Sequence, residues 1–588
     1  MNLSFVKIIP KKQISEFIFI IFLLIFSSFI EILGIGFIPV FVGFLTNPDL
    51  YLDKINIDLI KNIFFGLDEL NLIIRASIVL CGIFIFKNIF LIFLVYFEGN
   101  FTKKIKINNS KKLFEKFIFK PYDFHLDKNP STFVRSVTSD INESTNYIKN
   151  ITLIIKEVLV LVFIFSLLIY SDPKITTIIF LMLGLFSFIF YFIIKSNLKK
   201  RGEINLNTNS FLLKISNQSF NAIKDVKLFN KENYLTNLFT KNFSLLEKNH
   251  LWSYFLSSLP RFILEIFAIF AITGLILFLF FQNNSIVNSL PLITLMAIST
   301  IRLIPSFNSI TKSLSSMKYN EAAMLNVYSI FNNESENDQK LSNNLDEKSN
   351  KRFTEKVSFE KNIELKNVSF RYKNNQKTIL QNINLKIKKN SKIAIVGKSG
   401  SGKTTIVDII IGLLEPSEGE LLIDDFLLSS QADKLNSWKK RIGYIPQNFY
   451  LFDESIKKNV AFGIDEENID IDKVKKALQF AQLKDFVDTL ENNIETKVGN
   501  QGIMLSGGQK QRIIIARAVY NDPDVLILDE ATSAIDEEVE KEFINNLIKI
   551  GKNKTIIIIS HRNSTIENCE IILKVENGKI VNVNEKKN

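Results

Sequence analysis

The sequence predicts a multidomain chain. An all-α polytopic membrane domain, with six transmembrane helices and long cytoplasmic extensions, is followed by an α/β domain built on a phosphate-binding loop. Three observations predict this. Long apolar runs crowd the first 330 or so of the 588 residues and then stop. Lys and Arg gather in alternate gaps between those runs, as at Lys103, Lys104, Lys106, Lys111 and Lys112. Further on, Gly397-Lys398-Ser399-Gly400-Ser401-Gly402-Lys403-Thr404 sits between a β-like run, Lys392–Val396, and a helix-like run, Thr405–Ile411. The length alone suggests several units. The expected division is membrane domain 1–330, linker 331–360 and nucleotide-binding α/β domain 361–588.

In chain order, Lys7, Lys11 and Lys12 precede an apolar run over 17–45. A cleavable leader has an apolar core of about 7–15 residues and ends at a small-residue site. This run is longer and lacks such a site, so it reads as a span interrupted by Gly34, Gly36 and Pro39. The segment 47–71 leans acidic, with Asp49, Asp53, Asp58, Asp68 and Glu69 against Lys54 and Lys61. A second span follows at 72–97 and then a Lys-rich stretch to about 150. A hairpin of spans, 151–170 and 175–194, turns at Ser171-Asp172-Pro173. A second basic stretch, 195–250, leads to spans at 262–281 and 290–304, the last diluted by Pro291, Arg302 and Pro305. With both basic stretches inside, the positive-inside rule gives six spans and both ends cytoplasmic. The basic stretches are too long for tight turns and read as helices continuing out of the bilayer. A net charge of +12 beside such spans points to loops facing anionic lipid rather than to nucleic acid. Residues 332–356 are polar and nearly empty of large apolar side chains, which reads as a linker. Cys81 and Cys569 form no disulfide framework or metal spacing.

The glycine loop carries the chemistry. Strand, glycine-rich turn and helix is the context in which successive backbone N–H groups converge on one anion. The helix dipole adds to the same point. Lys403 can then reach β/γ-phosphates, and the Thr404 hydroxyl can take a position on Mg²⁺. Downstream, Val525-Leu526-Ile527-Leu528-Asp529-Glu530 reads as a buried parallel strand ending in two carboxylates. Asp529 is placed to hold Mg²⁺ and Glu530 to polarise an attacking water. Leu505-Ser506-Gly507-Gly508-Gln509 precedes a helix-like run to Val519, a second set of small residues at a helix N-terminus.

Taken together, these motifs resemble the ATP-binding cassette (ABC) family. Residues 363–588 look like its nucleotide-binding domain, and the whole chain is similar to an exporter half-transporter. The resemblance implies further roles. Gly397, Ser399, Gly400, Ser401, Gly402, Lys403, Thr404 and Thr405 would hold ATP. Tyr372 would stack on adenine, and Gln447 would contact Mg²⁺ and sense the membrane domain. Ser506, Gly507, Gly508 and Gln509 would close on the γ-phosphate of a partner. Asp536 would lie in the loop crossing between paired domains, and His561 would be the switch histidine. The catalytic set would be Glu530, His561, Gln447 and Lys403, and the metal set Thr404, Gln447 and Asp529. A second copy of the chain would complete two equivalent ATP sites. Asp127–Val134 and Ala222–Phe229 lie where such exporters place coupling helices. Asn500, where many relatives carry Glu, and Asn563, where Leu is common, depart from the pattern.

Within the family, the span order, the Pro260-Arg261 to Glu265 segment and Arg302–Ser306 resemble bacterial flippases of lipid-linked oligosaccharides, and lipid A exporters come close behind. That implies ATP-driven movement of a lipid-linked or amphipathic substrate in the bacterial inner membrane, with the ATPase domain in the cytoplasm. Exporters of peptides, toxins or drugs are the alternative. About sixteen residues precede the first span, which leaves no room for the peptidase domain many peptide exporters carry. A soluble ATPase acting on nucleic acid does not account for the spans, and a channel that binds ATP without turnover does not account for Glu530 and His561 together. Lys87 and Arg302 are cations inside expected spans, where charge is costly. Two readings stand open: pairing with Glu31 or Glu265 inside the bundle, or lining a cavity that receives an anionic, lipid-linked glycan head group.

Overall fold

The computed structural model describes residues 7–46, 69–171, 173–281, 286–332, 358–373, 377–428, 432–530, 553–560, 562, 566–567 and 569–585. It divides into two compact units. The first holds residues 1–120 and 128–340; the second holds 121–127 and 341–588. The acidic segment at 47–68, the Asp172 turn and the linker at 333–357 lie outside the described residues.

The first unit is helical. Its long helices are α1 (Ile14–Thr46) and α2 (Glu69–Ile118). The short α3 (Tyr122–Leu126) falls in the second unit, and α4 (Pro130–Arg135) returns to the first. Then come α5 (Ile141–Ser171), α6 (Pro173–Asn221), the short α7 (Ile223–Leu228), α8 (Glu232–Phe281) and α9 (Ile286–Asn332). At 1.5 Å per residue, the 50 residues of α2 or α8 reach about 75 Å, against a hydrocarbon core of about 30 Å. More than half of each helix therefore extends beyond the bilayer, which is the origin of the expected cytoplasmic extensions.

Among the described residues, five stretches are long and apolar enough to cross a membrane: Lys11–Leu45, Leu70–Ile118, Pro130–Tyr170, Phe180–Asn221 and Ile293–Asn332. The expected span at 262–281 lies in the C-terminal part of α8, where many side chains fall outside the described set. Phe22, Ile78, Ile92, Phe188 and Phe270 are each more than 60 % exposed, as side chains of a membrane-embedded helical unit are.

Inside the bundle, Val160, Leu161 and Ile164 of α5 pack with Leu303 and Phe307 of α9. Helices α6 and α9 meet so closely at Gly202 that a Cβ there would overlap the Tyr319 carbonyl oxygen. The cation Arg302 is answered from two other helices. Its Nε donates to Glu31 Oε1 at 2.5 Å, and its Nη2 donates to Glu31 Oε2 at 3.2 Å and to Glu157 Oε2 at 3.4 Å. Ser306 Oγ donates to the same Glu157 oxygen at 2.8 Å. Of the two readings left open by the sequence, pairing is the one found for Arg302, with Glu157 as an additional partner. Glu265 is taken by Arg261, 3.0 Å away and one turn along α8. Lys87 lies 4.7 Å from the centroid of its neighbour Phe84.

The second unit is built on two sheets. A four-stranded antiparallel sheet has the order β2 (Leu380–Lys388), β1 (Asn362–Phe370), β4 (Glu418–Ile423), β5 (Phe426–Leu427). The six-stranded sheet runs β10 (Lys579–Glu585), β9 (Ile571–Glu576), β3 (Lys392–Val396), β8 (Thr555–Ile559), β7 (Val525–Asp529), β6 (Ile442–Ile445). It is parallel throughout except for the β9–β10 hairpin. Strands β7 and β8 are buried over their whole length, as all-apolar runs in a covered parallel sheet must be. Helix α10 (Lys403–Ile411) packs on one face, held by Trp438 of α11 (Ala432–Lys439), whose Nε1 donates to Ile410 O at 2.8 Å. The other face is covered by a helical lobe of α12 (Ile456–Val460), α13 (Ile471–Phe480), α14 (Lys484–Asp488) and α15 (Gly507–Val519).

One boundary differs from the expected division. The first coupling segment was expected at Asp127–Val134, within the membrane domain. The stretch that belongs with the second unit is Pro121–Asp127, where Asp123 pairs with Lys373 at 2.6 Å. Residues 130–135 instead form α4, with Asn129 as its N-cap and Ser131 and Arg135 buried in the first unit.

Removing one member of a buried ion pair costs about 3–5 kcal/mol, because the other charge stays buried and unanswered. Arg302→Gln should therefore cut the yield of monodisperse protein in detergent and lower its aggregation temperature. Arg302→Gln combined with Glu31→Gln and Glu157→Gln should recover most of that loss.

Candidate functional site

The site lies where the parallel strands end, the usual place for a ligand in an open α/β sheet. Ile395 of β3 and Asp529 of β7 are both registered against Ile559 of β8. The glycine loop and Asp529 thus leave the same edge of the sheet, two strand spacings or about 10 Å apart. The loop then folds back. Gly397, Gly400 and Gly402 have φ of +154°, +77° and +105°. A Cβ on Gly397 would overlap the Val575 carbonyl oxygen, and one on Gly402 would come 2.6 Å from Leu380 Cδ2. Gly402 stands at the N-terminus of α10, and Lys403 and Thr404 open the helix. Lys403 is buried and its Nζ donates to Gly397 O at 2.7 Å and Lys398 O at 3.1 Å, so the ammonium curls across the mouth of the loop. Ser401 Oγ is buried with no hydrogen-bond partner among the described residues, and Ser399 is exposed. Thr405 is buried.

The carboxylates meet the loop from the neighbouring strand. Thr404 is hydrogen-bonded to Asp529, whose pKa is raised by burial, with the Thr404 bond working the other way. Tyr444 of β6 approaches Asp529 Oδ2 at 3.5 Å. Glu530 has φ +48°, an uncommon conformation for a residue other than glycine, and such outliers cluster at functional positions. Gln447 Nε2 donates to Glu530 Oε2 at 2.6 Å. Lys403, Thr404, Gln447, Asp529 and Glu530 therefore form one connected group. Tyr372, expected against adenine, is half-buried, with its ring 4.9 Å from that of Phe370 and perpendicular to it. Ser506 and Gln509 form a reciprocal capping box at the start of α15, with Gly507 and Gly508 as its first residues. Asp536 and His561, like Asn563, lie outside the described residues.

The fit to a phosphate and a hard cation can be read from these atoms. A loop that no Cβ could enter, an ammonium turned onto it and a helix N-terminus together suit an anion. A hydroxyl and a carboxylate already in contact beside it are oxygen donors of the kind Mg²⁺ takes.

Comparison with known proteins accords with this geometry. Residues 17–307 match the ABC transporter transmembrane region, and residues 380–533 match the ABC transporter family. The chain is an ABC transporter. It joins the membrane and cassette modules in one polypeptide, as an exporter half-transporter does, and its activity is ATP hydrolysis coupled to transport. It is 28 % identical over 522 residues to the ATP-dependent lipid A-core flippase of Escherichia coli (strain K12), covering 88 % of this transporter and 86 % of that protein. The same identity holds over 482 residues with the flippase of Photorhabdus laumondii, covering 81 % and 80 %. The structure of a bacterial Atm1-family ABC exporter with ATP bound superposes with a TM-score of 0.77 at 18 % identity, covering 97 % of this transporter and 95 % of that chain; it speaks for the fold.

Sequence reasoning missed Asp408, on α10. It is buried, and its pKa is pushed up to about 6 by that burial and by the charge of Asp529. The signal was legible as the one charge in the apolar run Ile406–Ile411. Because the folded state raises this pKa above the usual value near 4, the native fold prefers the protonated acid. Its ionisation costs stability that sets in as pH rises past about 4 and is complete above about 6. In a Trp252→Phe background, where Trp438 is the remaining emitter, Asp408→Asn should therefore raise the thermal transition at pH 8, and the gain should fade toward pH 4.

Proposed function

We propose that this transporter moves a lipid-linked or amphipathic substrate across a bacterial inner membrane, working as a pair of identical chains with two composite ATP sites. The observation that carries the ATP half of this reading is the connected group Thr404–Asp529 and Gln447–Glu530 around the glycine loop. Both half-sites of the chain retain the residues they need: the loop with its carboxylates, and the capped Ser506–Gln509 turn. An intact pair in one chain favours two equal copies over a partner with a degenerate site.

In the mechanism, the loop N–H groups and Lys403 bind the phosphates and orient the terminal one. Thr404, Asp529 and Gln447 would hold Mg²⁺, which supplies charge neutralisation on the phosphate oxygens when bound. Glu530, set at the strand end in its left-handed backbone conformation, takes the proton of the attacking water, and Gln447 orients the carboxylate. Ser506–Gln509 of the partner subunit's chain would close the other side, so that ATP joins the two cassettes and its hydrolysis lets them part.

The substrate class is carried by the curated relatives, which are named lipid A-core flippases. An anionic head group remains part of the proposal, but Arg302 is not offered as its receptor, because Glu31 and Glu157 already neutralise that charge.

Glu530→Gln keeps size and shape, so it should bind ATP while hydrolysing it about 10²–10⁴-fold more slowly, and it should accumulate as an ATP-closed pair. Lys403→Ala should lose nucleotide binding and closure together. Nucleotide trapping distinguishes the two, and near-normal hydrolysis by Glu530→Gln would contradict the assignment.

A further inference from the structure

The helix that presents Ser506–Gln509 is anchored at its far end by a cation that meets no carboxylate among the described residues. Arg517 lies in the last turn of α15, eleven residues or about 16 Å from Ser506. Its three nitrogens each find a different acceptor. Nε donates to Asn459 O at 2.7 Å, Nη2 to Asn459 Oδ1 at 2.9 Å and Nη1 to Tyr450 O at 3.1 Å. The guanidinium also sits 4.9 Å from the centroid of the Phe462 ring. Among the described residues no acid pairs with it, and burial lowers its pKa to about 10. A charge kept desolvated and answered only by neutral oxygens and a ring is an expensive arrangement, one that a purely apolar contact would replace if packing were all that was needed.

The acceptors belong to one stretch of chain. Asn459 is 1 % exposed. Its Nδ2 donates to Phe452 O at 3.0 Å and Ser455 O at 3.1 Å, and its Oδ1 accepts from Phe452 N at 3.0 Å. The segment 450–462, which begins three residues after Gln447, is thereby gathered around a single amide, and the Arg517 guanidinium adds directed hydrogen bonds to the apolar core it shares with α15. Gln447 in turn holds Glu530 at 2.6 Å. Backbone and hydrogen bonds together thus link the carboxylate at one end, through residues 447–462 and α15, to Ser506–Gln509 at the other.

We propose that Arg517 is a positioning residue. It holds the Ser506–Gln509 end of α15 in the orientation set by the loop after Gln447, so that closure of one chain over its partner's nucleotide depends on the state of its own Gln447–Glu530 pair. The proposal rests on the reading of two chains with composite ATP sites. The planar fork is essential to it, since an ammonium on a flexible stem cannot address three acceptors in fixed directions.

The test uses the full-length protein in lipid nanodiscs, with ATP hydrolysis followed against ATP concentration and binding of a fluorescent ATP analogue to the open form measured alongside. Losing one charge-assisted hydrogen-bond set should raise the half-maximal ATP concentration of Arg517→Met about tenfold, while analogue binding stays at the wild-type level. Arg517→Lys, which serves if the Met variant fails to fold, should shift it about threefold. An unchanged half-maximal concentration, with the maximal rate falling only in step with folded protein, would overturn the proposal alone. Hydrolysis by isolated single chains of the wild type would overturn both the proposal and the composite-site reading beneath it.

Discussion

The cassette depends on a steric constraint at the end of β3. There the backbone of β9 comes so near Gly397 that its Val575 carbonyl occupies the place of a side chain. Only a residue without Cβ can turn the chain at that point, and only that turn lets Lys403 lie back over the loop it closes. The strand order that sets β3 between β9 and β8 therefore makes the anion site, and it also sets β7 two places away, where Asp529 reaches Thr404. A local rule about glycine and a global rule about sheet order meet at one residue.

The membrane unit faces a different constraint. In hydrocarbon, a charge must be answered by the protein itself, and Arg302 is answered by Glu31 of α1 and Glu157 of α5. That arrangement ties three helices that are distant in sequence. It also removes Arg302 from the set of free cations, which leaves recognition of a head group to other parts of the unit. In the cassette the logic recurs in a softer form. Arg517, outside the membrane, is answered by neutral oxygens.

Much of this was legible in the sequence, because periodicity and glycine spacing are local. The strand–loop–helix around Gly397–Thr404 could be read directly, as could the carboxylates closing Val525–Glu530 and the capped turn Ser506–Gln509. The pairing of Arg302 could be read only as far as Glu31. Glu157, 145 residues away, carries no sequence signal that distinguishes it from any other acid in a helix. The grouping of Pro121–Asp127 with the second unit was not legible, because membership in a unit is decided by contacts such as Asp123–Lys373. Asp408 was visible as an isolated charge, but its neighbourhood with Asp529 is made by sheet order, which no single segment encodes.

The central claim is that ATP is hydrolysed between two copies of this chain, with the glycine loop of one and the Ser506–Gln509 turn of the other. It is tested most directly by complementation between two inactive variants, Lys403→Ala and Ser506→Arg, co-expressed with different tags and purified as the mixed pair. In that pair one site joins an intact loop to an intact turn, while the other lacks both. The account predicts that the mixed pair regains ATP hydrolysis although each parent is inactive. A mixed pair as inactive as its parents, with both chains folded and joined, would contradict it.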